Sequence, residues 1–430
     1  MPIPMTRICA RSLGNFVAGL LVLAGLAGCT TLDRKNAVPQ NLTNQSIIEN
    51  MPHVRYKIWS SAGTNAMLDD IRKGMQEPGY RGDRTTSNYL ALSGGGDNGA
   101  FGAGLLTGWT ARGDRPRFDL VTGVSTGAMM APFAFLGSDY DYVLKQTFTE
   151  VDANDIFVKM GLAGALFSDA FADTTPLYHL ISKYITPELL QKISDEYTIH
   201  NRWLLIATTN LDAGVPIIWN MGKLAGVGTP ESVTLFRKIL LASASIPGAF
   251  PPVMIDVMAD GKRYQEMHVD GGASMEMFIY PAALGAAAKR EHVVSNYTNR
   301  QAYLIRNSRL DSDWRQIDRN TLSIMERAVD QLIQTQGIGD IFRSYLVCER
   351  DGVGFNLAYI GPDFNVPHQS EFDRHYMNAL YDYGYNLAIA GYPWAKSPPG
   401  YDLPLNTAVK MQLERQERAL KATPSKLLKP

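Results

Sequence analysis

Ser125 is the residue whose neighbours most directly suggest covalent chemistry. It lies in Gly123-Val124-Ser125-Thr126-Gly127, between the apolar run 118–121 and the helix-like opening Ala128-Met129-Met130. Glycines on both sides of a serine let a strand and a helix crowd against a sharp turn, which leaves the hydroxyl exposed as a nucleophile. A serine in an ordinary tight turn is the alternative. Upstream, Gly94-Gly95-Gly96-Asp97-Asn98-Gly99 follows a strand-like run and opens a helix. Bare N–H groups at such a helix start suit an anion, whether a pyrophosphate or a developing oxyanion. A dinucleotide-binding chain would use the same G-x-G-x-x-G spacing, with Asp114 or Asp119 on the ribose. Ten of the 38 glycines fall between positions 94 and 127, so backbone freedom is concentrated in one stretch.

An activated serine needs a base, most often histidine. Of the seven histidines, His53 lies in the N-terminal extension, and His179 and His200 sit in helix and turn surroundings. His292, His368 and His375 lie in polar stretches. His268 differs, because it stands two residues before Asp270 in a strand-like run and so shares its face. Asp270 is followed by Gly271-Gly272, where nothing bulky blocks a neighbouring loop. An Asp that only opens a turn is the bland alternative there.

The elements that must position these residues alternate between strand-like and helix-like, which predicts an α/β core. Strands are expected over 89–92, 120–122, 203–208, 217–219, 253–257, 264–269, 302–305 and 355–360, and Asp260-Gly261 is a hairpin turn signal. Helices are expected over 66–75, 98–111, 126–135, 187–196, 232–242, 321–336, 372–390 and 407–420. The apolar stretch 156–167 would line an acyl pocket, cover the site, or form an ordinary buried helix.

Three motifs standing in this order resemble the patatin-like phospholipase family: a Gly-rich loop at 94–99, G-x-S-x-G at 123–127 and Asp-Gly-Gly at 270–272. The stretch Ala242-Ser243-Ala244-Ser245-Ile246-Pro247 with Phe250-Pro251-Pro252 resembles the segment that precedes the family's Asp strand. The resemblance runs from about residue 89 to 281. It implies a three-layer α/β/α fold around a central, mostly parallel sheet and a Ser-Asp dyad without histidine. Ser125 would be the nucleophile, Asp270 the base, and the backbone of Gly94, Gly95 and Gly96 the oxyanion hole. Gly99, Gly123, Gly127, Gly271 and Gly272 complete the motifs. Many members carry Arg or Lys where this chain has Asn98. The implied activity is hydrolysis of lipid acyl esters. A histidine-triad esterase and a non-catalytic lipoprotein scaffold are the alternatives.

The whole chain has 430 residues, 41 basic against 42 acidic, and is 45% hydrophobic. That length suits one large or two ordinary domains. A formal charge of -1 supplies no field for nucleic acid, which binds clustered Lys and Arg. Three scattered cysteines, Cys9, Cys29 and Cys348, form no thiolate metal site or disulfide framework. No metal and no cofactor is expected. Arg7 and Arg11 precede a 13-residue apolar run, 16–28, about 20 Å as a helix and short of a ~30 Å bilayer core. A basic flank and a short apolar run ending in small residues form a secretory signal. Leu26-Ala27-Gly28-Cys29 resembles the lipobox of bacterial lipoproteins, which implies cleavage before Cys29 and its lipidation. By the same resemblance, Thr30 rather than Asp after the cysteine implies an outer-membrane location in the bacterial envelope. Losing the two arginines takes the formal charge from -1 to -3. The expected organisation is a signal peptide over 1–28, a tether and N-terminal extension over 29–84, a catalytic domain over 85–285, a completing part over 286–400 and a helical tail over 401–430. The expected partners are a lipid or acyl-ester substrate and a membrane held through Cys29.

Overall fold

The computed structural model describes residues 34–76, 85–160, 169–293, 297–311, 314 and 316–401. Strands form at the apolar runs. They are β1 (Arg55–Tyr56), β2 (Thr86–Leu92), β3 (Leu120–Gly123), β4 (Val158–Lys159), β5 (Ala172–Asp173) and β6 (Trp203–Asn210). They continue with β7 (Val215–Asn220), β8 (Val253–Ala259), β9 (Lys262–Asp270), β10 (Asn299–Arg309) and β11 (Gly354–Ile360). Nine strands form one sheet along the order β1-β7-β6-β3-β2-β10-β11, with β9 also on β6 and β8 on β9. Its centre, β6-β3-β2-β10-β11, is parallel, while β1, β7, β8 and β9 add antiparallel ladders at one side. The short pair β4-β5 stands apart.

β6 is buried at all eight positions, as a strand covered on both faces must be. Its side chains alternate between two cores: Leu204 and Ile206 in one, Trp203, Leu205 and Ala207 in the other. The helices α1 (Ser61–Gln76), α2 (Gly99–Arg112), α3 (Thr126–Leu136), α4 (Asp141–Thr149), α5 (Ala153–Ile156), α6 (Thr175–Tyr184) and α7 (Pro187–Thr198) are followed by five more. These are α8 (Met221–Ala225), α9 (Pro230–Ser243), α10 (Ala282–Arg290), α11 (Thr321–Asp351) and α12 (Arg374–Ala390). The first core packs α2 to α9 and α12 on one face; α1, α10 and α11 cover the other. The chain is thus a three-layer α/β/α fold.

Two expectations change. Residues 34–76 are a packed part of the domain, with Ile48, Met51, Val54, Tyr56, Met67 and Leu68 buried, β1 paired to β7 and Ile47 bridged to Met258. Arg55 reaches Glu266, and both are buried. Burial pushes the Glu266 carboxyl up, but the Arg55 charge and the His268 hydrogen bond outweigh it and hold it well below its ordinary value. Arg55→Ala leaves that carboxylate buried without its cation and is expected to cost about 3–5 kcal/mol in urea unfolding; a loss below about 1 kcal/mol would contradict this. Secondly, α11 runs 15 residues beyond the expected end at 336, straight through Gly337 and Gly339. Glycine weakens a helix by only about 1 kcal/mol, and burial of Ile341, Tyr345 and Cys348 carries the helix on. The Cys348 thiol is pushed up to about 12 by that burial. Within 156–167, Ile156 and Phe157 are buried and Val158 and Lys159 form exposed β4, while the remainder of the stretch from 161 lies outside the described residues. Cys29 and the tail from 402 also lie outside them.

Candidate active site

β3 runs parallel to β6 and ends at Gly123 opposite Ile206; β9 runs antiparallel to β6 and ends at Asp270 opposite Thr208. Since β7 occupies the other edge of β6, β3 and β9 share one edge and meet with their C-terminal ends facing. Only Ala207 separates the two registers, so the turn after β3 is brought against the last residue of β9.

Ser125 follows β3 at φ 52, ψ -124 and caps α3. A non-glycine residue in that region stores about 1–3 kcal/mol of strain, and the elbow is held by its surroundings. The Ser125 N–H donates to Ser243 Oγ at 3.0 Å, and Ser243 Oγ donates to the Ala207 carbonyl at 2.7 Å. Gly123 and Gly127 permit the crowding: a Cβ on Gly127 would lie 2.3 Å from the Leu92 carbonyl, and one on Gly123 would lie 2.5 Å from the Gly127 carbonyl. Gly271 lies against Val124 and the Ala207 carbonyl, and Gly99 against Phe148 and Thr126, so both pack as closely.

Asp270 is 2% exposed. Its N–H donates to the Ser245 carbonyl at 2.8 Å, and its Oδ1 accepts the Gly272 N–H at 2.7 Å. Its carboxyl faces the Ser125 side chain, which acts on its pKa. Burial pushes its pKa up to about 7, against the pull of the Ser125 hydroxyl and the Gly272 hydrogen bond. A carboxyl in that position is a far better proton acceptor at neutral pH than a free one near 3.9.

The glycine loop lies across the elbow, tied down by Thr126 Oγ1 donating to the Gly96 carbonyl at 2.7 Å. Gly95 adopts φ 150, and a Cβ there would lie 2.1 Å from the Asn307 carbonyl. The N–H groups of Gly95 and Gly96 meet no acceptor among the described residues, and the space beside Gly96 is open. Gly94 differs from the expectation: its N–H donates to the Glu276 carbonyl at 3.4 Å, so its contribution is close approach to Ser125 rather than a free donor. Asn98 Oδ1 accepts the Tyr376 hydroxyl at 2.6 Å, and Asp97 takes His368 Nε2 and the Phe372 N–H at 2.6 and 2.8 Å. The start of α12 and the segment before it thereby brace the loop.

His268 is fully buried between Thr208 Oγ1, 2.9 Å from Nδ1, and Glu266, 3.1 Å from Nε2. Trp219 Nε1–H donates to the same Thr208 oxygen at 2.8 Å. The Thr208 hydroxyl is then left to donate to Nδ1, and Nε2–H donates to the carboxylate, which fixes one neutral tautomer. Burial lowers its pKa, consistent with that form. Neither nitrogen is free for a proton from Ser125. Among the described residues no histidine hydrogen-bonds Ser125 or Asp270, and no group of three or more His, Cys, Asp or Glu is arranged to hold a metal ion.

Sequence reasoning assigned no role to Ser243, Ser245 or Asn307, although the two serines lie in the stretch 242–247. It also passed over Glu276, whose signal was a charge inside the apolar run Met275-Glu276-Met277-Phe278 directly after Asp-Gly-Gly.

Residues 90–283 match the family described as patatin-like phospholipase. The match spans the glycine loop, the elbow and the Asp-Gly-Gly turn. No curated protein matches the chain. Among solved structures, VipD from Legionella pneumophila aligns with a TM-score of 0.36 at 11% identity, over 71% of this chain and 67% of that chain.

Proposed function

We propose that the protein is a serine lipid acyl hydrolase of the bacterial cell envelope, working through a Ser125-Asp270 dyad. The observation that carries this reading is the placement of the strained Ser125 beside a buried Asp270 carboxyl pushed up to about 7, next to a loop whose Gly95 and Gly96 N–H groups meet no acceptor among the described residues. Ser125 Oγ attacks the ester carbonyl while Asp270 takes its proton. The Gly95 and Gly96 N–H groups receive the oxyanion, each such donor being worth about 2.7–4 kcal/mol. Asp270 returns the proton to the leaving alcohol, and water, deprotonated in turn by Asp270, cleaves the acyl-enzyme.

The match of 90–283 to the patatin-like phospholipase family supports acyl esters of lipids as substrates. The lipobox-like sequence ending at Cys29 supports anchoring by lipid, with Thr30 favouring the outer membrane; several acyl chains hold far more firmly than one. The test is hydrolysis of short p-nitrophenyl esters and phospholipid vesicles by the purified chain without added metal or nucleotide. Loss of activity to a chelator with rescue by one metal would contradict it. Cys29→Ser is expected to leave the protein unprocessed or released from membranes and without labelled fatty acid, and a wild type free of lipid would refute the anchor.

The neutral, enclosed His268 separates the dyad from a triad. His268→Asn is expected to lower the acylation rate less than tenfold while costing stability through the buried Glu266. A loss equal to that of Ser125→Ala would transfer the role of base to His268.

A further inference from the structure

A second acid stands beside the dyad. Glu276 is 5% exposed, and its backbone is pinned on both sides. Its N–H donates to Asp340 Oδ2 at 2.7 Å, and its carbonyl takes the Gly94 N–H. The carboxyl tip fills the space that two glycines leave. A Cβ on Gly94 would lie 2.6 Å from Glu276 Oε1 and 3.0 Å from Ser125 Cβ; one on Gly272 would lie 2.5 Å from Oε2 and 3.1 Å from Asp270 Oδ1. The two oxygens therefore reach from the glycine loop beside Ser125 to the turn beside Asp270.

Among the described residues no cation pairs with this carboxyl. Arg306, equally buried on β10, directs Nη2 to the Gln334 carbonyl and Nε to that of Arg309, and its Nη1 has no acceptor. Asp340 on α11 is occupied by the Glu276 and Met277 N–H groups, Gln336 and Arg343. The charged and titratable groups facing Glu276 are thus Asp270 from β9, Arg306 from β10 and Asp340 from α11. Burial first, and then the Asp270 charge, push Glu276 well above the usual carboxylate range. Two carboxyls enclosed together do not both ionise easily. The vacant Arg306 Nη1 offers an ionised Glu276 a different place to go, since a Cβ on Gly337 would lie 2.0 Å from that nitrogen and 2.9 Å from Glu276 Cγ.

We infer that Glu276 is a positioning residue of the dyad: as a neutral acid wedged between Gly94 and Gly272 it holds the glycine loop and the Asp270 turn against Ser125, and turnover stops when it ionises and swings towards Arg306. This rests on the hydrolase reading above. The experiment is kcat/KM against pH from 5 to 10 on a p-nitrophenyl ester, with activity recovered on return to pH 7.5 to exclude unfolding. The wild type is expected to lose about tenfold per pH unit on an alkaline limb, as a single ionisation requires. Glu276→Gln, neutral at every pH, and Glu276→Met, apolar and of similar length, are both expected to lose that limb, with kcat lowered more in Glu276→Met than in Glu276→Gln. A wild type with no alkaline limb, or a limb kept in both variants, overturns the inference while leaving a Ser125-dependent hydrolase intact. A wild type with no Ser125-dependent turnover overturns both.

Discussion

Ser125→Ala and Asp270→Asn are each expected to lower kcat/KM for acyl esters at least on the order of 10³-fold, and the double variant little further, because nucleophile and base act as a unit. The two should differ in stability. Asp270 is held near 7 by burial, so the folded chain keeps a proton there that the unfolded chain releases near 3.9. The folded state therefore binds more protons between these values, and stability falls as pH rises through that window. The penalty is absent below about pH 4 and complete above about pH 7, at most about 4 kcal/mol. Asp270→Asn removes it. The variant should melt above the wild type at pH 8 and level with it at pH 4, while Ser125→Ala leaves most of the pH trend in place. Equal melting of Asp270→Asn and wild type at both pH values would show Asp270 to be ionised at no cost, and so a poor base.

Gly95→Ala is the second large effect. Its φ of 150 is closed to a side chain, and the added Cβ would meet the Asn307 carbonyl at 2.1 Å. Asn307 cannot yield easily, since its N–H and Nδ2 hold Ser93 and its Oδ1 takes the Gly102 N–H. The loop must move instead, carrying the Gly95 and Gly96 donors off the oxyanion. Loss of one such donor costs about 10²–10³ in kcat, and KM should change much less. A kcat within threefold of wild type in Gly95→Ala would place the oxyanion elsewhere.

The parts of this arrangement legible in the sequence are those with local causes. The run 203–208 is apolar for most of its length because β6 is covered on both faces, and Asp260-Gly261 turns the β8-β9 hairpin at φ 47 and 68. The elbow glycines and the Asp-Gly-Gly turn mark places where backbones touch. The two-residue β1 has no pattern to show, since its place is set by pairing with β7. Ser243 is an ordinary helix-end serine until α9 packs beside the elbow. Glu276 reads as an acid in an apolar run, and only the fold brings it between Gly94 and Gly272. The amide of Gly94 shows the converse, for the motif suggested a donor and the tertiary contact with Glu276 occupies it.

The central claim is that Ser125 is a nucleophile activated by Asp270, and labelling with a serine-reactive fluorophosphonate tests it most directly. Peptide mass spectrometry of the wild type is expected to place the adduct on Ser125. The rate should fall as pH drops below about 7, where Asp270 takes up its proton, and the Asp270→Asn protein should be labelled at least on the order of 10²-fold more slowly. A folded wild type that stays unlabelled at Ser125, or an Asp270→Asn protein labelled at the wild-type rate, would contradict the account.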